Sequence, residues 1–303
     1  MEYRQLGKRG PQVPVLGLGA WPIGGGMGRV DEQTALTTIH TAIDNGLTLI
    51  DTAQGYLSSE AIIGKALKSG QRDRCFLATK VTGNYSRRDI ISAMENSLRA
   101  LAVEYVDLYQ IHHWNPQYPL EESMEAMAQL QAEGKTRFIG VSNFNAAQME
   151  QAGRIAPIQS NQPVYNLFDR QIEAEDIRYC EREGIGILAH SALAKGLLAG
   201  KYRPDHTFST DYDERSGFSR FQNPTFTRYL AVADRLAEVA QDKGLSLIEF
   251  AIAWILRSPV VTCVLVGART PDQVKQQLGA VGVTFSDDEL ARIDDILADA
   301  PDV

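Results

Sequence analysis

Cysteine is scarce in this chain, with three in 303 residues. Cys75, Cys180 and Cys263 lie far apart, each in an apolar run. That pattern excludes a disulfide framework and a cysteine-based metal centre, and no metal is expected. The formal net charge is −8 and no segment is strongly basic, so nothing here neutralises a phosphate ladder and a nucleic-acid partner is excluded. The apolar stretches stop well short of the ~18 residues that a membrane span requires. The opening residues MEYRQLGKRG carry no apolar export segment, so a reducing cytoplasm is the expected location. No internal repeat or low-complexity tract is present, and no motif specifies an oligomeric state. Also lacking is a G-x-G-x-x-G turn between a strand and a helix. Gly24, Gly25, Gly26 and Gly28 come near one, but they fall in a loop after the first apolar run and are expected to make that loop flexible.

Hydrophobic residues make up 44% of the chain, enough for one large core, and a single domain over residues 1–303 is expected. Short apolar or β-branched runs alternate with longer amphipathic ones, the pattern of parallel strands joined by crossover helices. Strands are predicted at 15–19, 47–51, 75–80, 106–112, 136–141, 158–162, 185–190 and 262–266. Helices are predicted at 31–45, 59–68, 86–100, 120–133, 146–155, 174–183 and 247–257. The first begins with Asp31 as a cap and places Ala35, Ile39, Ala42 and Ile43 on one face. Eight strands point to an α/β fold of the (β/α)8 TIM-barrel type, because open doubly wound sheets usually carry fewer. Residues 2–13 read as an N-terminal β-hairpin closing the bottom of the barrel. Residues 202–227 are long, polar and aromatic, without helical or strand period, as functional loops often are.

Polar residues interrupt these strands at their carboxyl ends: Asp51, Lys80 and His112. In a barrel those ends converge on one mouth, where active sites are built. A lysine beside a tyrosine favours the phenolate, and an aspartate holds the lysine charged. Tyr56, in the loop after Asp51, is within reach of the same mouth. That set suits proton donation to a carbonyl oxygen.

Here the chain resembles the aldo-keto reductases. Asp51-Thr-Ala-Gln-Gly-Tyr56-Leu-Ser-Ser-Glu60 is similar to that family's D-T-A-x-x-Y-G-x-S-E signature. The likeness continues through Ala78-Thr-Lys80, Asp107-Leu-Tyr-Gln-Ile-His112, Gly140-Val-Ser-Asn-Phe144, Asn161-Gln-Pro-Val-Tyr-Asn166 and Val266-Gly-Ala-Arg269. The resemblance implies a catalytic tetrad of Asp51, Tyr56, Lys80 and His112, and reduction of aldehydes or ketones with NADP(H). Strand alternation places Gln110 and His112 toward the lumen and Tyr109 and Ile111 toward the helices. His113 then either lines the mouth or packs beside it.

The same resemblance assigns Ser142, Asn143 and Gln162 to the nicotinamide carboxamide. It gives His190, where relatives commonly have tyrosine, the stacking position on the ring. It passes Ser191, Leu193, Gly196 and Leu198 under the pyrophosphate, with backbone N–H groups and a short helix favouring the anion. At the adenosine end it implies Gly267, Arg269, Gln273, Gln276 and Gln277, with Arg269 gripping a 2′-phosphate. Trp21, Tyr85, His113 and Trp114 are candidate walls for a small carbonyl substrate, and the loop carrying Phe208, Tyr212, Phe218 and Phe221 a candidate cover. Two other functions fit the same barrel. One is a Schiff-base lyase with Lys80 as nucleophile. The other resembles the redox-sensing β subunits of potassium channels, although their longer N-terminal extension is missing.

Overall fold

The structure is a computed structural model that describes residues 1–209 and 213–301. A two-stranded antiparallel hairpin, β1 (Tyr3–Gln5) and β2 (Gln12–Pro14), comes first. The parallel strands β3 (Leu16–Gly19), β4 (Leu49–Asp51), β5 (Phe76–Val81), β6 (Val106–Ile111), β7 (Thr136–Ser142), β8 (Ser160–Gln162), β9 (Gly186–Ala189) and β10 (Val261–Gly267) then follow in sequence order around a closed barrel. Closure is made by β10, which pairs with both β3 and β9.

Helices α1 (Glu32–Asp44), α2 (Ser59–Ala66), α3 (Arg87–Leu101), α4 (Leu120–Ala132), α5 (Ala146–Ile155), α6 (Asp176–Glu183), α7 (Thr225–Asp242) and α8 (Leu247–Leu256) surround it, with α9 (Pro271–Lys275) and α10 (Asp287–Leu297) after the last strand. Six of the ten α-helices described start on a capping side chain. Asp31 accepts from the Thr34 N–H, and Ser86 from that of Asp89. Asn145 and Ser246 form capping boxes with Gln148 and Glu249. The expected face of α1, Ala35, Ile39, Ala42 and Ile43, is buried.

Two helices escaped the sequence pattern. α7 begins inside the aromatic stretch 202–227, and its first buried positions, Phe226 and Tyr229, read as a continuation of that stretch. α10 is strongly acidic, and its capping box of Ser286 and Glu289 marks its start. Within 202–227 the backbone forms 3-10 turns at Glu214–Gly217 and Ser219–Phe221, which leave no long-range period to read.

The core has two shells. The outer lies between strands and helices and includes Tyr109, Ile111 and Val141. The inner fills the lumen with Leu49, Ala78, Leu108, Leu188, Cys263 and Leu265, and is closed from below by Leu6 and Val13 of the hairpin segment. This placement agrees with the alternation expected for β6. Among the described residues, no helix is long and apolar enough to cross a membrane.

Candidate active site

Asp51 ends β4, in register with Gly19 on one side and Ala78 on the other. Lys80 lies two residues beyond Ala78 and faces Gln110 of β6. Period-two alternation points all of these side chains inward. Lys80 is fully buried, and its ammonium donates to Asp51 Oδ1 at 2.5 Å, the Thr52 carbonyl at 2.8 Å and the Tyr56 hydroxyl at 3.4 Å. Tyr56 sits in the turn after β4, where its N–H bonds the Ala53 carbonyl. The rest of the signature braces that turn: Thr52 Oγ1 donates to Ser59 Oγ, and Thr79 Oγ1 to buried Glu60.

The glycines after β3 do something other than loosen a loop. A Cβ on Gly24 would lie 2.2 Å from the Tyr56 carbonyl oxygen, and one on Gly26 would lie 2.1 Å from the Trp21 ring. Gly24 and Gly26 are required for close packing, which corrects the expectation of flexibility at those two positions. Trp21 in turn meets Tyr56 edge to face at 5.0 Å.

His112 follows β6, with Nδ1 2.9 Å from Thr82 Oγ1 and its ring 5.6 Å from that of Tyr56. Burial, then the Lys80 charge, push its pKa down to about 2, so it is a neutral hydrogen-bonding group. Exposed His113 stacks on it at 4.5 Å. Lys80 stays charged: burial opposes the ammonium, but Asp51 and then Tyr56 outweigh it and its pKa is raised. For Tyr56 the direction differs from the sequence-based expectation. Burial raises the phenol pKa more than Lys80 lowers it, and Asp51 and Glu214 add to the rise. The hydroxyl therefore holds its proton, which suits an acid.

The remaining site residues divide. Ser142 Oγ donates to the Gln162 carbonyl at 2.7 Å, and Asn143, at φ +58°, contacts the His112 carbonyl and His113 Nδ1. His190 bridges Ser191 Oγ and Asn143 Oδ1, at 2.9 and 3.0 Å. Ser142, Asn143, Gln162 and His190 thus gather at one rim beside the Asp51–Lys80 pair. The segment after β9 departs from expectation. The N–H groups of Gly196 and Leu198 both donate to the Leu193 carbonyl, Leu198 is fully buried, and the short helix is a kinked 3-10 turn. Those two amides are occupied internally and point to no anion.

Tyr85 is also corrected. It is buried, packs against Tyr118 and accepts from the His113 N–H, so it supports the rim from behind. Trp114 packs edge to face on Phe144. Phe208 and Phe221 pack with Tyr202 and Phe226 in an aromatic cluster, which makes them the loop's own core. Phe218 is exposed, with the Lys195 ammonium 4.9 Å from its ring. Tyr212 lies outside the described residues.

At the far end, Arg269 donates to the Arg29 carbonyl and lies over Gly28, whose absent Cβ would be 3.6 Å from the guanidinium. Gln273 accepts from the Arg269 N–H, and buried Gln277 donates to the Gly267 carbonyl. Both brace the loop, while Gln276 is exposed at the C-cap of α9. Sequence reasoning missed three neighbours. Glu214 accepts from Trp21 Nε1 at 3.0 Å and Lys195 at 2.5 Å, strapping the loop to the rim. Partial desolvation, then the charges of Arg215 and Arg269, push Lys201 below its usual range, although Arg215 is itself buried and paired with Asp213. A charge inside an aperiodic loop gives no signal in one sequence.

The family model described as the aldo/keto reductase family matches residues 15–298. The chain belongs to the aldo/keto reductase family. Aldo-keto reductase YhdN of Bacillus subtilis is 40% identical, over 98% of this chain and 94% of that protein. An L-glyceraldehyde 3-phosphate reductase of Escherichia coli K12 is 30% identical, over 99% and 93%. Among solved structures, the glycerol dehydrogenase AKR11B4 of Gluconobacter oxydans superposes with a TM-score of 0.87 at 37% identity, covering 98% of this chain and 95% of that one. The thermostable aldo-keto reductase Tm1743 gives 0.80 at 31%, covering 98% and 100%. The chain is thus an oxidoreductase of carbonyl compounds, in a family that uses nicotinamide cofactors.

Proposed function

We propose that this aldo/keto reductase is NADP(H)-dependent and reduces aldehydes or ketones to alcohols with Tyr56 as proton donor. The observation that carries the reading is the fully buried Lys80 ammonium, held by Asp51 at 2.5 Å and reaching the Tyr56 hydroxyl at 3.4 Å. Two amides and a hydroxyl at the ends of β7 and β8 fit a carboxamide, and the Arg269 guanidinium over Gly28 fits a phosphate. Ser142, Asn143 and Gln162 would hold the nicotinamide end, with His190 against its ring and Arg269 on a 2′-phosphate. When bound, the cofactor supplies the hydride that reaches the carbonyl carbon.

The protein's own part is the proton. Tyr56 gives its proton to the carbonyl oxygen, and Lys80 stabilises the phenolate left behind. His112, neutral, donates a hydrogen bond that orients the same oxygen. In alcohol oxidation Tyr56 works in reverse, as base. A Schiff-base role for Lys80 is disfavoured, because Asp51 keeps the ammonium protonated and a nucleophilic lysine must lose that proton. The glycerol dehydrogenase and triose-phosphate reductase relatives make small hydroxylated aldehydes and alcohols the first substrates to try.

The test is a tryptophan-quenching titration with NADPH and NADH, followed by turnover on an aldehyde panel. Tighter NADPH binding with NADPH-dependent reduction is expected. Binding of neither cofactor would overturn the proposal.

A further inference from the structure

Lys80 uses only one oxygen of the buried Asp51 carboxylate. The other, Oδ2, accepts from Gln162 Nε2 at 2.9 Å and Gln110 Nε2 at 3.3 Å. Gln162 Nε2 also lies 3.4 Å from Gln110 Oε1. Two amides thus close a triangle on a single carboxylate oxygen.

Gln110 is fully buried, in register with Lys80 on β5 and Gly140 on β7. A Cβ on Gly140 would stand 3.3 Å from Gln110 Cγ and 2.4 Å from Ser160 Oγ. The missing side chain therefore leaves room for Gln110 to lie across the lumen. One layer below, on the same face of β6, Leu108 fills the lumen with an apolar side chain. A buried amide is costly unless its hydrogen bonds are made, so an amide at this level needs the partner it has.

We infer that Gln110 is a positioning residue for proton transfer: together with Gln162 it fixes the Asp51 carboxylate, so that Lys80 stays aimed at the Tyr56 hydroxyl. The inference rests on Tyr56 being the acid and base of the reaction. Two donors on Oδ2 disperse its charge and stop the carboxylate from turning. With one removed, more of the Asp51 charge bears on Tyr56, and its phenolate becomes harder to form.

The titratable and charged groups facing this relay come from several elements: Lys80 of β5, His112 and His113 after β6, His190 after β9, Glu214 of the loop and Cys263 of β10. Glu60 of α2 faces Lys80 from behind Thr79. Burial holds His112 near 2 and His190 near 3, and raises the Cys263 thiol well above its usual value. None of those three changes charge near neutrality. A moved alkaline limb therefore reports on Tyr56 coupled to Lys80, which titrate as a pair.

The experiment compares wild type with Gln110→Met, which keeps the volume and loses the donor, and with Gln110→Glu, whose carboxyl beside Asp51 keeps its proton and can donate. In alcohol oxidation, the alkaline rise of kcat in Gln110→Met should move upward by about half a pH unit or more. KM and cofactor Kd should stay within about twofold. Below neutral pH, Gln110→Glu should lie nearer wild type than Gln110→Met does. A second readout needs no turnover: the carbon-13 resonance of Tyr56 Cζ, assigned by its loss in Tyr56→Phe, should shift in the cofactor-free Gln110→Met protein. If Gln110→Met does not fold, the same resonance and profile in Gln110→Glu decide, and a change from wild type is expected there too. A folded variant with an unmoved resonance and unmoved profile overturns the inference. Turnover that survives Tyr56→Phe overturns the underlying reading instead, and leaves the resonance test standing.

Discussion

The mouth of the barrel is built in two ways. On one side, Asp51, Lys80 and His112 come from or directly follow adjacent strands, and neighbouring pairs in the ladder set their height and direction. On the other, the described residues 213–221 lie at the rim on 3-10 turns, held by an aromatic cluster and by Glu214 bonded to Trp21 and Lys195. Buried strand ends give fixed distances between ionised groups. The loop side is held instead by contacts between segments far apart in sequence. On the proposed function, the first side would carry the proton chemistry and the second would face the dinucleotide as it enters and leaves.

Breaking the strand side should have the larger effects. Lys80→Met leaves Asp51 buried without its cation, and should cost about 3–5 kcal/mol of stability. Denaturant titration checks this, and activity should be lost with it. The lyase reading forecasts something else for the wild type: borohydride with a carbonyl substrate would trap an adduct on Lys80, visible by mass spectrometry. No adduct is expected.

Arg269→Ala probes the far end of the loop side. Loss of a charge-assisted contact worth ~1.5–3 kcal/mol should weaken NADPH roughly 10- to 100-fold and leave NADH almost unchanged. The ratio of the two dissociation constants, measured at one ionic strength, is the quantity to compare. Equal losses for both cofactors would mean that Arg269 only shapes the loop. The smallest effect is expected from Glu214→Gln. The Lys195–Glu214 pair is partly exposed and worth about 0.2–1 kcal/mol, so cofactor release in stopped-flow should quicken only a few-fold. An unchanged release rate would separate the strap from ligand exchange.

The same contrast explains what was legible in the sequence. Strand ends announce themselves, because Asp51, Lys80 and His112 break apolar runs at the same relative place, and alternation alone put Gln110 in the lumen. The apolar period gave the predicted helix starts to within two residues, with the capping Asp31 marking the first. What stayed hidden depends on three-dimensional approach. The fit of Gly24 against Tyr56, the burial of Tyr85 behind His113 and the Glu214 strap each join segments that show no periodic relation. The direction of the Tyr56 pKa was misjudged for a related reason. A sequence shows which charges are neighbours, whereas burial, the largest influence here, belongs to the packed structure.

The most direct measurement is of Tyr56→Phe, with NADPH affinity by tryptophan quenching and single-turnover aldehyde reduction on the same preparation. Because the substitution removes the hydroxyl proton and little of the surface that would hold the dinucleotide, affinity should stay within about twofold while the reduction rate falls by ~10³-fold. A variant that binds NADPH as wild type does and still reduces the aldehyde at a comparable rate would contradict Tyr56 as the proton donor.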